Sequence, residues 1–153
     1  MSHAPTTPLD EMRTPTGASR PVTQTITRTL EWIDTDAGRR HHNSVIMRWV
    51  EACEIAWWKD HDLLEVFTRA PRVQQVVNYT APIYFDQDVE ITVELTRLGR
   101  TSMTFSFEAA ILPDTLPEPP TVAAHGTFTV VNLSPDGQRA HPWPEHVRTN
   151  LLR

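Results

Sequence analysis

From Val45 to Trp58, eleven of fourteen residues are apolar, and this run is the strongest constraint in the chain. It is too long for a strand and predicts a helix, with Asn43 or Ser44 as the N-cap. Its polar residues Arg48, Glu51, Glu54, Lys59 and Asp62 are expected on one narrow stripe. A helix that is apolar around most of its circumference has to be enclosed by other elements, not merely laid on a surface. The rest of the chain must therefore wrap it.

The neighbouring segments have the period of two that a wrapping sheet needs. Val89, Ile91, Val93 and Leu95 alternate with Glu90, Thr92, Glu94 and Thr96. After Gly99-Arg100 the pattern returns, with Met103, Phe105, Phe107, Ala109 and Ile111 facing one way and Ser102, Thr104, Ser106 and Glu108 the other. Two such runs around a short glycine-containing turn read as a hairpin. Further strands are expected at 22–33, 73–80 and 122–133. One strand, a nearly buried helix and then about four antiparallel strands imply an α+β fold, a sheet curled around a central helix.

Prolines punctuate this pattern and avoid the middles of its elements. Pro113, Pro117, Pro119 and Pro120 separate two alternating runs, and Pro135, Pro142 and Pro144 mark the C-terminal approach. Pro5, Pro8, Pro15 and Pro21 lie among Thr, Ser and Ala with no hydrophobic period, so residues 1–21 read as a flexible tail. One domain is expected over 22–153.

Composition narrows the function. A chain of 153 residues, 39% hydrophobic and 22% charged, is a globular domain with room for a core. No apolar stretch approaches the ~20 residues that cross a bilayer, and no charged-then-apolar leader opens the chain. The single cysteine, Cys53, excludes an intrachain disulfide and fits a reducing cytosol, so a cytoplasmic location is expected. Cys53 itself lies among apolar helix positions and reads as an inert core residue, while Trp49, Trp57 and Trp58 read as core or interface. A net charge of −5, with no basic cluster beyond Arg39-Arg40, argues against nucleic acid as a partner. Five scattered glycines supply no phosphate-binding loop. His41, His42, His125, His141 and His146 lack metal-ligand spacing, so no metal is expected.

The chemistry concentrates between Asp34 and Ser44, where the first strand meets the apolar helix. A helix N-terminus offers free amides and a positive dipole end to charge developing on a carbonyl oxygen. A carboxylate just upstream can act beside it as base or nucleophile. Asp36 fits that position, and also fits an Asx turn that merely leads into the helix. Glu51 either pairs with Arg48 one turn back or has a functional role.

The segments Trp32-Ile33-Asp34-Thr35-Asp36-Ala37-Gly38, His42-Asn43-Ser44 and Arg48-Trp49-Val50-Glu51 stand in a specific order. They are followed by Tyr79-Thr80-Ala81-Pro82, Asp88-Val89-Glu90-Ile91, Leu98-Gly99-Arg100-Thr101-Ser102 and the ending from Pro144 to Leu152. Over roughly residues 25–152 this resembles the hotdog-fold acyl-CoA thioesterases, most closely the 4-hydroxybenzoyl-CoA thioesterase-like branch. The resemblance implies hydrolysis of an acyl-CoA thioester, with the catalytic aspartate at Asp36 and the carbonyl-polarising amide at Asn43. A second branch uses a helical carboxylate eight residues further on, which falls on Glu51, with a histidine at His42; both are carried as supporting groups. Pantetheine and phosphate contacts fall on Arg100, Thr101 and Ser102.

The family commonly has a glycine, often Gly-His, where this chain has Arg39-Arg40, and an aromatic residue at Ile46. Gly38 is expected to take the turn instead. A homodimer or homotetramer paired edge to edge follows from the resemblance, and no cofactor does, since the coenzyme A arm belongs to the substrate. The alternatives are a thioesterase for a carrier-protein-bound polyketide or fatty acyl chain, to which the two arginines would suit an acidic carrier, and a non-catalytic acyl-binding hotdog protein.

Overall fold

The computed structural model describes residues 22–153 and the backbone of Thr7–Pro8. Apart from that pair, the tail expected over 1–21 lies outside the described residues. The elements run β1 (Thr7–Pro8), β2 (Thr23–Thr29), α1 (Asn43–Asp60), α2 (Leu64–Phe67), β3 (Arg72–Tyr79), β4 (Asp88–Leu98), β5 (Ser102–Ile111), β6 (Thr121–Val131) and α3 (Glu145–Leu151). The strands form one antiparallel sheet in the order β4-β5-β6-β3, with β2 and the two-residue β1 both on the outer side of β4. This is the α+β hotdog arrangement.

The expected first strand is shorter than its hydrophobic pattern suggests. It ends at Thr29, and Trp32–Asp34 turn into a single 3-10 turn in which Asp34 and Glu31 cap each other. The hairpin stands as read: Gly99 N–H donates to Ser102 O at 2.8 Å, and Val93 opposes Phe107. Close packing restricts one glycine further along the sheet. A Cβ on Gly126 would stand 1.8 Å from the carbonyl oxygen of Val76, so β3 can lie against β6 at this point only if no side chain is present.

The α1 helix sits in the concave face of the sheet. Val45, Ile46, Trp49, Val50, Cys53, Trp57 and Trp58 are all buried there. Burial pushes the Cys53 thiol up to about 11, and its Sγ donates to the Gln24 carbonyl at 3.3 Å, as an inert core thiol would. Enclosure is one-sided. Asn43, Ser44, Arg48 and Glu51 remain exposed, and Met47, Ala52, Ile55 and Ala56 are only half-covered.

Two readings of the helix polarity need correcting. Glu54 does not share the exposed stripe: it is 2% exposed. One Glu54 oxygen accepts from Arg72 at 2.6 Å and the other from Trp58 Nε1 at 3.2 Å. Burial raises the Glu54 carboxyl above its ordinary range, against the pull of the Arg72 charge. Arg72 also lies 4.1 Å above the centre of the Phe128 ring. Asp62 falls outside the helix, in a left-handed conformation (φ 56°) two residues past its end.

Among the described residues no helix is long and apolar enough to cross a membrane. Replacing Arg72 with Met should cost about 3–5 kcal/mol in urea unfolding, because Glu54 would stay buried without its cation.

Candidate active site

Asp34 builds the frame of the site. Its carboxylate accepts from Arg48 Nη2 at 2.6 Å and from the Glu31 amide at 3.3 Å, and its carbonyl accepts the His42 amide at 2.7 Å. The loop from 35 to 41 is thereby closed at its base, with α1 starting where the loop returns. Arg48 is thus committed to Asp34, and Glu51 has no ion pair among the described residues.

Within this loop Asp36 makes a tight turn. Its Oδ1 accepts the amides of Gly38 at 2.8 Å and Arg40 at 3.2 Å, while its own amide donates to Arg40 O at 2.8 Å. The Asx-turn reading of Asp36 is therefore met, by one oxygen. Its other oxygen, Oδ2, has no partner among the described residues and is available for chemistry. The expectation that Gly38 takes the unusual backbone is overturned: Arg39 has φ 63°, and Gly38 lies outside the left-handed region. The arginine standing where the family has glycine keeps a glycine-like backbone.

The helix start also differs from expectation. Neither Asn43 nor Ser44 is the N-cap; His42 is, its Nδ1 accepting the Ser44 amide at 3.2 Å and standing 2.7 Å from Ser44 Oγ. An imidazole with a bare Nδ1 does the work usually done by a Ser or Asp oxygen. Asn43 is the first helical residue, and its amide has no partner among the described residues. The carbonyl of Asn43 accepts the Tyr79 hydroxyl at 2.7 Å, which ties the first turn of α1 to the end of β3.

Asp36, His41, His42, Asn43, Tyr79 and the Thr80–Pro82 segment surround one open cavity of about 540 Å³. Three of the four expected catalytic residues, Asp36, His42 and Asn43, are thus brought together. Glu51 is not with them. It lies two turns along α1, about 12 Å from Asn43 at 1.5 Å per residue. It lines a separate trough with Met47, Gln75 and Val77 that meets the cavity at Asn43 and Tyr79.

Arg100, Thr101 and Ser102 are further away still. The loop carrying Asp36 packs at the Asp88 end of β4, where Leu30 N–H donates to Gln87 O at 3.0 Å. The hairpin is at the other end of this eleven-residue strand, about 30 Å away. Within one chain the two sets of residues do not meet. Thr101 and Arg100 instead offer their carbonyls to the amides of Asn132 and Trp143.

His41 is the cavity residue that sequence reasoning passed over except as a metal ligand. The Ile83 amide donates to its Nδ1 at 3.0 Å, and its ring stacks on Tyr79 at 5.9 Å with 29° between planes. Burial lowers its pKa, against the charge of Asp36. The signal available was its place in the sequence, between Asp36 and the start of the helix. No group of three His, Cys, Asp or Glu side chains among the described residues is placed to hold a metal ion.

A family model described as thioesterase superfamily matches residues 40–118. Among solved structures, the fold is similar to that of a predicted thioesterase from Bacillus stearothermophilus, at 26% identity and a TM-score of 0.72, covering 84% of this chain and 93% of that one. A Thermus thermophilus thioesterase complexed with coenzyme A and Zn shares 23% identity at a TM-score of 0.71, over 84% and 91% of the two chains. A mutant 4-hydroxybenzoyl-CoA thioesterase complexed with 4-hydroxybenzoyl-CoA shares 16% identity at a TM-score of 0.74, over 86% and 99%. No curated protein matches the sequence.

The Arg39 backbone makes a prediction. A left-handed non-glycine residue costs about 1–2 kcal/mol, while glycine adds about 0.5–1 kcal/mol of chain entropy to be lost on folding. Arg39→Gly should therefore stabilise the protein by about 0.5–1 kcal/mol, measured as a higher urea midpoint at unchanged slope.

Proposed function

Because the chain belongs to the thioesterase superfamily, we propose that it hydrolyses an acyl-CoA thioester at the cavity between Asp36 and the start of α1. The observation that carries this reading is the pairing of a carboxylate having one oxygen held by two amides and the other free with an unpartnered amide at a helix N-terminus. The Asn43 amide and the positive end of α1 polarise the thioester carbonyl and take up its developing negative charge. The free oxygen of Asp36 then acts in one of two balanced ways. It attacks the carbonyl carbon and expels the thiolate, leaving a mixed anhydride that water cleaves to two carboxyl groups. Or it takes a proton from water as that water attacks, and the tetrahedral adduct expels the thiolate. His42 holds the first turn of the helix in place, and Glu51 lines the trough that adjoins the cavity along α1.

Coenzyme A in the Thermus structure and 4-hydroxybenzoyl-CoA in the other relative support a coenzyme A ester as substrate. Thiol release from a panel of acyl-CoAs and acyl-carrier proteins should be fastest with a coenzyme A ester. Asp36→Asn should lower kcat by about 10²–10⁴-fold, the range for loss of a positioned acid or base, while Glu51→Gln stays within about tenfold. The reverse ranking would move the chemistry to Glu51. No release from any ester would favour the acyl-binding alternative.

The site is completed by a second copy. Strand β3 pairs only with β6 among the described residues, and Val73, Val76 and Tyr79 are exposed along it. Such an open edge favours strand-to-strand pairing, which would also cover the half-exposed flank of α1. Contacts from Arg100, Thr101 and Ser102 to the coenzyme A arm would then come from the second copy. Sedimentation velocity should give a species of at least twice the 17.5 kDa chain mass.

A further inference from the structure

We propose that His41 supplies a second hydrogen-bond donor to the oxyanion site, its Nε2–H directed with the Asn43 amide at the thioester carbonyl oxygen. The inference rests on the thioesterase reading of the Asp36 cavity and adds to it a residue that neither the aspartate nor the helix N-terminus calls for.

Three observations lead there. The Ile83 amide donates to Nδ1 at 3.0 Å, so the neutral ring carries its proton on Nε2. That nitrogen, on the far side of the ring, has no partner among the described residues, and the ring lines the cavity. Tyr79 fixes the imidazole relative to the helix: its ring stacks on His41 at 5.9 Å, and its hydroxyl binds the Asn43 carbonyl at 2.7 Å. One phenol thus holds both donors. Burial, which lowers the pKa of His41, keeps the ring in this neutral form. A neutral imidazole in a partly buried site polarises a carbonyl without bringing a full charge that the site would have to accommodate before substrate binds.

Protonation at acid pH would place a hydrogen on Nδ1 facing the Ile83 amide and break the contact that orients the ring. The charged and titratable groups facing His41 are Asp36, Arg40 and His42 from its own loop and Tyr79 from β3. The pH profile of His41 variants therefore has to be read beside that of Asp36.

The test compares kcat, KM and pH profiles of the full-length protein, His41→Phe and His41→Gln with an acyl-CoA that the unmodified protein hydrolyses. Phenylalanine keeps the stack on Tyr79 and removes the donor; kcat should fall about 10²–10³-fold, as for loss of an oxyanion donor, with KM within threefold. Glutamine restores an amide N–H at a similar reach, and kcat should return to within about tenfold. An acid limb is expected from the unmodified protein below pH 6.5, and it should move to lower pH in His41→Gln.

Phenylalanine activity within threefold of the unmodified protein would overturn the proposal. If His41→Phe loses its native circular dichroism, the decision passes to His41→Gln, where an acid limb at unchanged pH would overturn it and one moved to lower pH would support it. The two readings fail separately. If Asp36→Asn is inactive while both His41 variants are fully active, only the second donor is lost. If the unmodified protein cleaves no acyl-CoA, the thioesterase reading itself falls.

Discussion

The position of α1 depends on a closed ring of contacts at its C-terminal half. Trp57 and Trp58 pack on Phe105, Phe105 stacks on Phe128 at 4.8 Å, Arg72 lies over Phe128, and Glu54 joins Arg72 back to Trp58. The ring links the helix to β3, β5 and β6 together. Sliding α1 along its axis would break an aromatic contact and a buried ion pair at once, and an ion pair out of water tolerates little misalignment. Because a helix is stiff, fixing one end fixes the other. The amide of Asn43 therefore owes its place to side chains three and four turns away.

Two aspartates two residues apart divide the work at the opposite end. Asp34 is buried, and its partners are the Arg48 guanidinium, the Glu31 amide and, through its carbonyl, the His42 amide. Asp36 is exposed to the cavity and engaged on one oxygen only. The difference arises from the backbone between them, which carries Asp34 inward at the end of the 3-10 turn and Asp36 outward at the start of the tight turn. Asp34 is fully spent on holding the loop in place, and that leaves one oxygen of Asp36 unengaged beside the cavity.

The sheet and the helix were legible in the sequence because their periods differ. Val89 to Leu95 and Met103 to Ala109 alternate, whereas Val45 to Trp58 does not, and the structure follows both patterns. The order of short motifs singles out Asp36 and Asn43, and the structure places both at one cavity. Other features depend on partners that periodicity does not encode. Glu54 sits at a spacing that suits a solvated stripe, and only the arrival of Arg72 from β3 allows it inside. His42 caps the helix because its ring nitrogen happens to reach the Ser44 amide, a role that residue type alone assigns to Asn or Ser. Arg39 carries a left-handed backbone that the sequence offers to Gly38. The distance between Asp36 and Arg100 follows from the length of β4, which the order of motifs along the sequence does not display.

The hydrogen bond from the His42 amide to the Asp34 carbonyl, 2.7 Å long, has an evolutionary consequence. It makes the residues between them a closed loop whose two ends meet regardless of what lies inside. Substitutions from Thr35 to His41 can re-aim a carboxylate, replace a glycine by an arginine, or add a ring to the cavity wall without moving the strand before them or the helix after them. Such a loop is free to diversify while the scaffold stays under separate selection for stability. The paired arginines and His41 of this chain stand inside such a segment, whose ends, Asp34 and His42, are already spoken for.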